Sequence, residues 1–443
     1  MSSASSPSGL RSARCRQSLA GAVFACSTFF SLGVHAQQAL TLDQALRLAQ
    51  DRSRQLVAQD ATAAAAREMA VAAGQRPDPM LKIGVNNLPI DGPDRFSLTR
   101  DFMTMRSIGV AQEITRTDKL KARSARFDRE ADAAEAGRAM ALANLRRDAA
   151  TAWLERYYQE RMLDELQAQR GEAGLQVEAA DAAYRGGRGA QADVFAARSA
   201  VAQIDDRIRQ TKGQIATART KLARWVGDNS DRALAAPPSL AAVPIDAGRL
   251  ETQLPHHPLL ALMAAQEAVA AADIDIAQSN KQSDWSVELM YNQRGPAYSN
   301  MVSLNFSIPL QLDQRNRQDR EVAAKLAIAA QMRAQREEAM REQMAMVRAW
   351  LQEWHSDRDR LAHYDSALIP LAGERTRAAI AAYRGGGGPL GAVLEARRTE
   401  IDTRIDRLRL QLEAAGLWAQ LNYLIPTEPA AAAPDRPSAV AEQ

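Results

Sequence analysis

AAYRGGRGAQADVFAAR, residues 182–198, returns as AAYRGGGGPLGAVLEAR at residues 381–397. Tyr184, Arg185, Gly186, Gly187, Gly189, Val194, Ala197 and Arg198 recur as Tyr383, Arg384, Gly385, Gly386, Gly388, Val393, Ala396 and Arg397, 199 positions later. Each stretch reads as helix, glycine turn, helix, because glycine enters positive φ without steric cost. Upstream, Ala152, Trp153, Leu154 and Glu155 are echoed by Ala349, Trp350, Leu351 and Gln352, 197 positions on. Downstream the ungapped match reaches Leu222 and Leu421. A long helical hairpin is therefore written twice. A repeat of that length predicts a tube or bundle of stacked like units rather than an enzyme pocket.

The segments before each hairpin repeat as well. Thr41 and Gln44 have capping-box spacing and open a helix at LTLDQALRLAQ. An alanine-rich helical pattern then runs to about Ala73, where Gly74 and Pro77 stop it. Leu81, Ile83 and Val85 alternate with Lys82, Gly84 and Asn86, and a second alternating run covers residues 108–114. In the second half a helix is expected from Pro258 to about Ser279. Trp285, Val287, Leu289 and Tyr291 then alternate with polar or flexible residues, as do Val302, Leu304, Phe306 and Ile308. Period-two alternation marks a strand with one apolar and one polar face. The expected organisation is a leader at 1–36, a first helix–strand–strand–helix repeat at 37–227 and a linker at 228–246. A second repeat follows at 247–426, then a disordered tail at 427–443.

Helices are expected from Lys119 to Tyr184 and from about Arg315 to Tyr383, each roughly 100 Å long at 1.5 Å per residue. Rods of this length must lie against one another. Met340, Met344, Val347, Leu351, Trp354 and Leu361 step by four, three, four, three and seven, a coiled-coil seam. Aromatic residues make up only 5% of the chain, too little for a thick globular core. The strands have the length of tilted membrane-spanning strands, and their alternation fits a lipid-facing side and a polar lumen. Trp285, Tyr291 and Tyr298 are candidates for interfacial aromatic belts. Four strands cannot close a barrel, and open edges are not tolerated in lipid. Closure then requires further copies, and three would supply twelve strands.

Arg11, Arg14 and Arg16 precede an apolar run over residues 19–34, the pattern of an export signal, with cleavage expected between Ala36 and Gln37. The rival is lipid attachment at Cys26, against which bulky Phe24 and the continuing apolar run argue. Both cysteines, Cys15 and Cys26, fall in this leader, so no disulfide or thiolate metal site is expected. Taking its three arginines from the 56 basic residues leaves 53, equal to the 53 acidic ones. That balance leaves no nucleic-acid footprint. No later apolar stretch is long enough for a transmembrane helix.

There is no phosphate loop, nucleophile elbow or metalloprotease helix motif, so the chain is read as a non-enzyme with no cofactor. His256 and His257 precede Pro258, and His355 and His363 lie eight apart on a long helix. A dedicated metal site needs three or four convergent ligands, so the histidines are read as structural. Met80, Met103 and Met105 cluster around the first strand pair in sequence, and packing is preferred there over soft-ion contact.

In its element order, both hairpin turns and the strand segments, the sequence from Thr41 to Pro426 resembles the TolC family of outer-membrane efflux channels. RPDPMLKIGVNNLP (76–89) and SLTRDFMTMRSIGVAQE (97–113) resemble the branch serving heavy-metal exporters of copper, silver, cobalt, zinc or cadmium ions. The resemblance implies a mainly α fold with a small transmembrane β part. In that fold a homotrimeric α-barrel of long hairpins is topped by a 12-stranded β-barrel. It implies outer-membrane lipid around the strands, a periplasmic adaptor (membrane fusion protein) and an inner-membrane RND-type pump as partners, and a passive efflux duct. Family members narrow at the hairpin tips to an aperture lined by aspartates and tied by a tyrosine. The two aspartate positions after the second tip fall on Ala392 and Glu395, the first tip keeps Asp193, and the tyrosine position matches Tyr383, with Tyr184 its repeat. A basic residue used in that tie falls on Gly388. Asp193 and Glu395 are thus candidates for acidic pore rings, or alternatively solvated acids at helix starts. The tips, with Arg185, Gly186, Gly187, Gly189, Arg384, Gly385, Gly386 and Gly388, are candidate adaptor contacts. The competing reading is a periplasmic helical-hairpin adaptor or scaffold without a membrane barrel. Duplication of the whole unit favours the duct.

Overall fold

The computed structural model describes residues 39–425; the leader, the Ala36–Gln37 cleavage point and the tail lie outside the described residues. Its main elements run α1 (Leu42–Arg52), α2 (Arg54–Ala73), β1 (Met80–Asn86), β2 (Met105–Ile114), α3 (Thr117–Arg185) and α4 (Gln191–Val226). Short helical turns lead into α5 (Pro258–Ser279), β3 (Trp285–Gln293), β4 (Met301–Ser307), α6 (Gln318–His363), α7 (Ile369–Arg384) and α8 (Leu390–Asn422). The fold is mainly helical with one small antiparallel sheet. The start of α1 carries the expected reciprocal cap: Thr41 Oγ1 accepts from the Gln44 N–H at 3.2 Å, and Gln44 Oε1 from the Thr41 N–H at 3.3 Å. Gly74 caps α2, and α5 has the expected bounds.

The core is a belt where helices of both repeats meet. Trp153, Leu154, Leu222, Val226, Val347 and Leu421 are buried there. The Trp153 indole N–H donates to the Leu40 carbonyl at 3.2 Å, as a buried tryptophan must find an acceptor. Leu40 in turn forms a parallel bridge to Leu234, with backbone bonds of 2.8 Å to the Ala233 carbonyl and 3.1 Å from the Ala235 N–H. Trp418 donates to the Ala242 carbonyl at 3.0 Å, and Arg156 to that of Ser230. The stretch between the repeats is thereby stitched to the belt. Val347, Leu351 and Trp354 of the seam are buried, Met340 and Met344 pack beside them, and Leu361 is half-buried.

One sequence expectation needs correction. The helix expected without interruption from about Arg315 to Tyr383 begins at Gln318 and is broken by a π turn at Tyr364–Leu368. Pro370 supplies the reason. It has no N–H to give the Ser366 carbonyl, and in a regular helix its ring would press on that carbonyl. The wider turn, in which the Ile369 N–H reaches back to Tyr364, moves the carbonyl aside.

Ion pairs fix the junction between rods and sheet. Lys119 of α3 meets Asp284 at 2.6 Å, and the Arg116 N–H donates to the same carboxylate at 3.0 Å. Asp273 of α5 sits between Arg126 of α3 (2.7 Å) and Lys325 of α6 (2.9 Å). Burial alone would raise the Asp273 pKa, but hydrogen bonds from the two cations outweigh it and hold the carboxyl below its ordinary range.

Candidate functional site

The strands form one sheet in the order β1-β2-β3-β4, antiparallel throughout, with β1 and β4 at its edges. The register aligns apolar residues in rows across all four strands. One row is Ile83, Ile108, Tyr291 and Val302; another is Leu81, Val110, Leu289 and Leu304. All eight are exposed. The opposite face is polar and internally bonded. Asn86 Nδ2 donates to Ser107 Oγ at 2.7 Å, Ser107 Oγ to Asn292 Oδ1 at 2.6 Å, and Asn292 Nδ2 to Ser303 Oγ at 2.9 Å. Lys82 and Glu288 pair on the same face. The sheet thus turns apolar side chains outward while satisfying its polar ones among themselves.

Aromatic residues sit at both ends of the strands. Trp285, with Phe306 at 6.4 Å between ring centroids, lies at the helix end. Tyr291 and Tyr298 lie toward the far loops, where Arg294 stacks 4.9 Å over the Tyr298 ring and donates through Nε to the Phe102 carbonyl at 3.0 Å. The methionines do not converge. Met80 pairs with Ala111 at one end of the sheet, whereas Met105 pairs with Asn86 at the other, next to Met103. Their nearness in sequence is undone by the hairpin, so they form no common soft-ion site. His257 is buried and caps α5, its Nδ1 accepting from the Leu259 N–H at 3.1 Å. Burial pushes its pKa down to about 4. Among the described residues no group of three or more His, Cys, Asp or Glu side chains is placed to hold a metal ion, and no helix is long and apolar enough to cross a membrane.

At the other extreme of the fold, the two hairpin turns share one geometry. Gly187 and Gly386 have φ of +69° and +74°. The Arg188 N–H reaches the Ala183 carbonyl at 2.9 Å, and the Gly387 N–H reaches that of Ala382 at 2.9 Å. Both are the six-to-one bond that ends a helix on a left-handed glycine. Gly186 and Gly385 keep negative φ, and the glycines at 189 and 388 lie against Ala183 and Ala382. Beneath the tips an apolar cluster of Ala180, Val194, Ala197, Leu390 and Val393 joins both hairpins, and Tyr383 packs on it. Tyr184 is 45% exposed instead. Arg185 pairs with Asp181, and Arg384 is exposed. The Asp193 carboxylate accepts from the Ala190 N–H at 3.2 Å, at the start of its own helix, while Glu395 is exposed. The polar ladder across the sheet escaped the sequence reading: alternation puts Ser107 and Asn292 on one face, but only register shows that they meet.

No protein-family model matches the chain, and no curated protein matches it by sequence. Solved structures do. The outer membrane protein VceC from Vibrio cholerae is 19% identical at a TM-score of 0.71, over 86% of this chain and 95% of that one. The CmeC outer membrane channel of Campylobacter jejuni is 12% identical at a TM-score of 0.72, over 88% and 87%. CusC, described through folding and transmembrane channel formation, is 14% identical at a TM-score of 0.71, over 86% and 91%. This chain has the outer-membrane channel fold.

Proposed function

We propose that this chain is a TolC-family channel of the outer membrane, a passive duct that receives substrates from an inner-membrane RND-type pump through a periplasmic adaptor. The observation that carries the reading is the sheet, with its exposed apolar rows, satisfied polar face and two unpaired edges. Eight aliphatic or aromatic side chains left about half or more exposed forgo roughly 1–2 kcal/mol each, on the order of 10 kcal/mol in total. A patch of that kind on a protein surface marks contact with lipid or a partner. In lipid, the backbone groups of β1 and β4 need partners, since nothing else there can bond them. Neighbouring copies supply them, and three copies bring twelve strands, an even number as such barrels require. The polar ladder then faces the lumen, and the hairpins continue as a helical tube in the periplasm.

In this reading Asp193 and Glu395, near the tips, form acidic rings that favour cations, and Tyr184 and Tyr383 flank the aperture. The cap that Asp193 gives its own helix uses one carboxylate oxygen and leaves the charge in place. The tips from Arg185 to Gly189 and from Arg384 to Gly388 receive the adaptor. Heavy-metal cations are the proposed cargo, on the resemblance of residues 76–89 and 97–113 to the metal-exporting branch. Conductance in planar bilayers tests the rings. Asp193→Asn combined with Glu395→Gln is expected to lower the preference for cations over anions several-fold. Unchanged reversal potentials would remove the rings from the account.

A further inference from the structure

The apolar face of the sheet ends in a cation. Val85, Arg106 and Gln293 form its last row toward the far loops, above the two wholly apolar rows. Among the described residues of the four strands, Arg106 is the single charged side chain on that face. An arginine on a lipid-facing strand is costly at mid-bilayer and tolerated only close to the interface. Arg106 therefore marks the level of the lipid headgroups. Its Nη2 donates to the Arg294 carbonyl at 3.4 Å, and its Nε has no acceptor. Arg294 is held in turn by the Phe102 carbonyl and the Tyr298 ring. Arg95 lies 4.7 Å over the ring of Phe96, which is exposed.

Among the described residues none of these three arginines forms an ion pair. The acids of the same loops do not neutralise them. Asp94 pairs with Arg100 at 3.5 Å, Asp101 accepts from the Met103 N–H at 2.8 Å, and Asp91 is exposed. The helix end of the sheet is different: there Arg116, Lys119 and Lys281 meet Asp118, Asp284 and Asp319. The two far loops are also pressed together, since a Cβ on Gly295 would lie 1.8 Å from the Thr99 carbonyl oxygen. Unpaired guanidinium groups thus sit on a tightly packed rim, at the edge of an apolar face.

We propose that Arg106, with Arg294 and Arg95, binds the phosphate groups of a glycolipid in the outer leaflet. The planar guanidinium matches a phosphate through two parallel N–H bonds, and its charge strengthens both. The rim lies at the end of the sheet away from the helices, which is the outer leaflet when the hairpins stand in the periplasm. Several cations on one chain suit a headgroup with more than one phosphate. Phe96 and Phe102, exposed beside them, offer apolar ring faces to a sugar, which a phosphoglycerol head lacks. The inference rests on the reading that the sheet spans the outer membrane.

Native mass spectrometry of the detergent-extracted particle tests it, with lipid A carrying two phosphates as the probe. Dephosphorylated lipid A and phosphatidylglycerol are the comparisons. The parent is expected to hold the phosphorylated form about tenfold more tightly than either, the scale of one or two hydrogen bonds to a charged group. Arg95→Gln combined with Arg106→Gln should abolish that preference, and Arg106→Lys should keep part of it. Arg95→Gln alone, in an exposed loop, should still weaken binding about threefold, which keeps the test open if Arg106→Gln is not recovered. Arg76→Gln removes the same charge at the helix end and should change nothing. Equal binding of the dephosphorylated form would overturn the phosphate site, and equal binding of phosphatidylglycerol would overturn the glycolipid. Unaltered binding by the Arg95 and Arg106 variants would overturn the residue assignment. Flotation of the parent with phosphatidylcholine vesicles separates the two readings. Flotation without any preference for phosphate removes the rim site and leaves the barrel, whereas failure to float removes both.

Discussion

The first repeat carries its long helix through all 69 residues of α3 without a break, whereas the second splits the same rod into α6, a π turn and α7. The tryptophans that duplication places at equivalent positions also differ: Trp153 is fully buried and bonded to Leu40, while Trp350 is only partly buried at the edge of the same belt. The helices that open the repeats are capped by different chemistry, Thr41 in one and His257 in the other. Tyr383 packs beneath its tip and Tyr184 does not. Duplication supplies a common scaffold, and single substitutions then give the two halves different duties.

The largest expected difference lies at the tryptophans. Trp153→Ala removes a fully enclosed ring and one of the two hydrogen bonds to the Leu40 carbonyl, at a cost of about 3–5 kcal/mol. Trp350→Ala, losing a partly exposed ring, should cost roughly 1–2 kcal/mol. Denaturant unfolding of the two variants measures this, and equal losses would break the asymmetry.

The caps differ in their response to acid. His257 has its pKa lowered to about 4 in the fold, against an ordinary 6.5, so the fold favours its neutral form. Its contribution is therefore complete above pH 6.5 and is lost as pH falls toward 4, amounting to roughly 3 kcal/mol over that range. His257→Asn keeps a cap that cannot titrate, and should flatten the fall of Tm between pH 6.5 and 4 relative to the parent. Thr41→Asn, in the first repeat, should leave that slope alone. Parallel curves for the parent and the His257 variant would refute the burial argument.

At the tips the halves should behave alike. Gly187→Ala and Gly386→Ala each force a side chain into left-handed backbone, at about 1–2 kcal/mol. Limited proteolysis at the turns should rise equally in both. A marked difference would show that the packing of Tyr383, which Tyr184 lacks, holds the second turn more firmly than the first.

Much of this fold was legible because its signals are local and periodic. Alternation marked all four strands, Pro258 and Ser279 bounded α5 as expected, and the glycine runs marked both turns. What stayed hidden depended on distance. The Leu40–Leu234 bridge is a contact of single residues with no period to betray it. Met80, Met103 and Met105 look clustered until the β1–β2 hairpin separates them. Pro370 was visible, but the helical pattern on both sides of it masked the π turn it requires. At the tips the duplicated residues could be aligned, yet only packing distinguishes half-buried Tyr383 from exposed Tyr184.

The mass of the particle extracted from membranes in detergent tests the central claim most directly. Light scattering corrected for bound detergent should report three chains in a single species. A lone chain, recovered folded from water with its apolar rows covered by its own helices, would contradict the account.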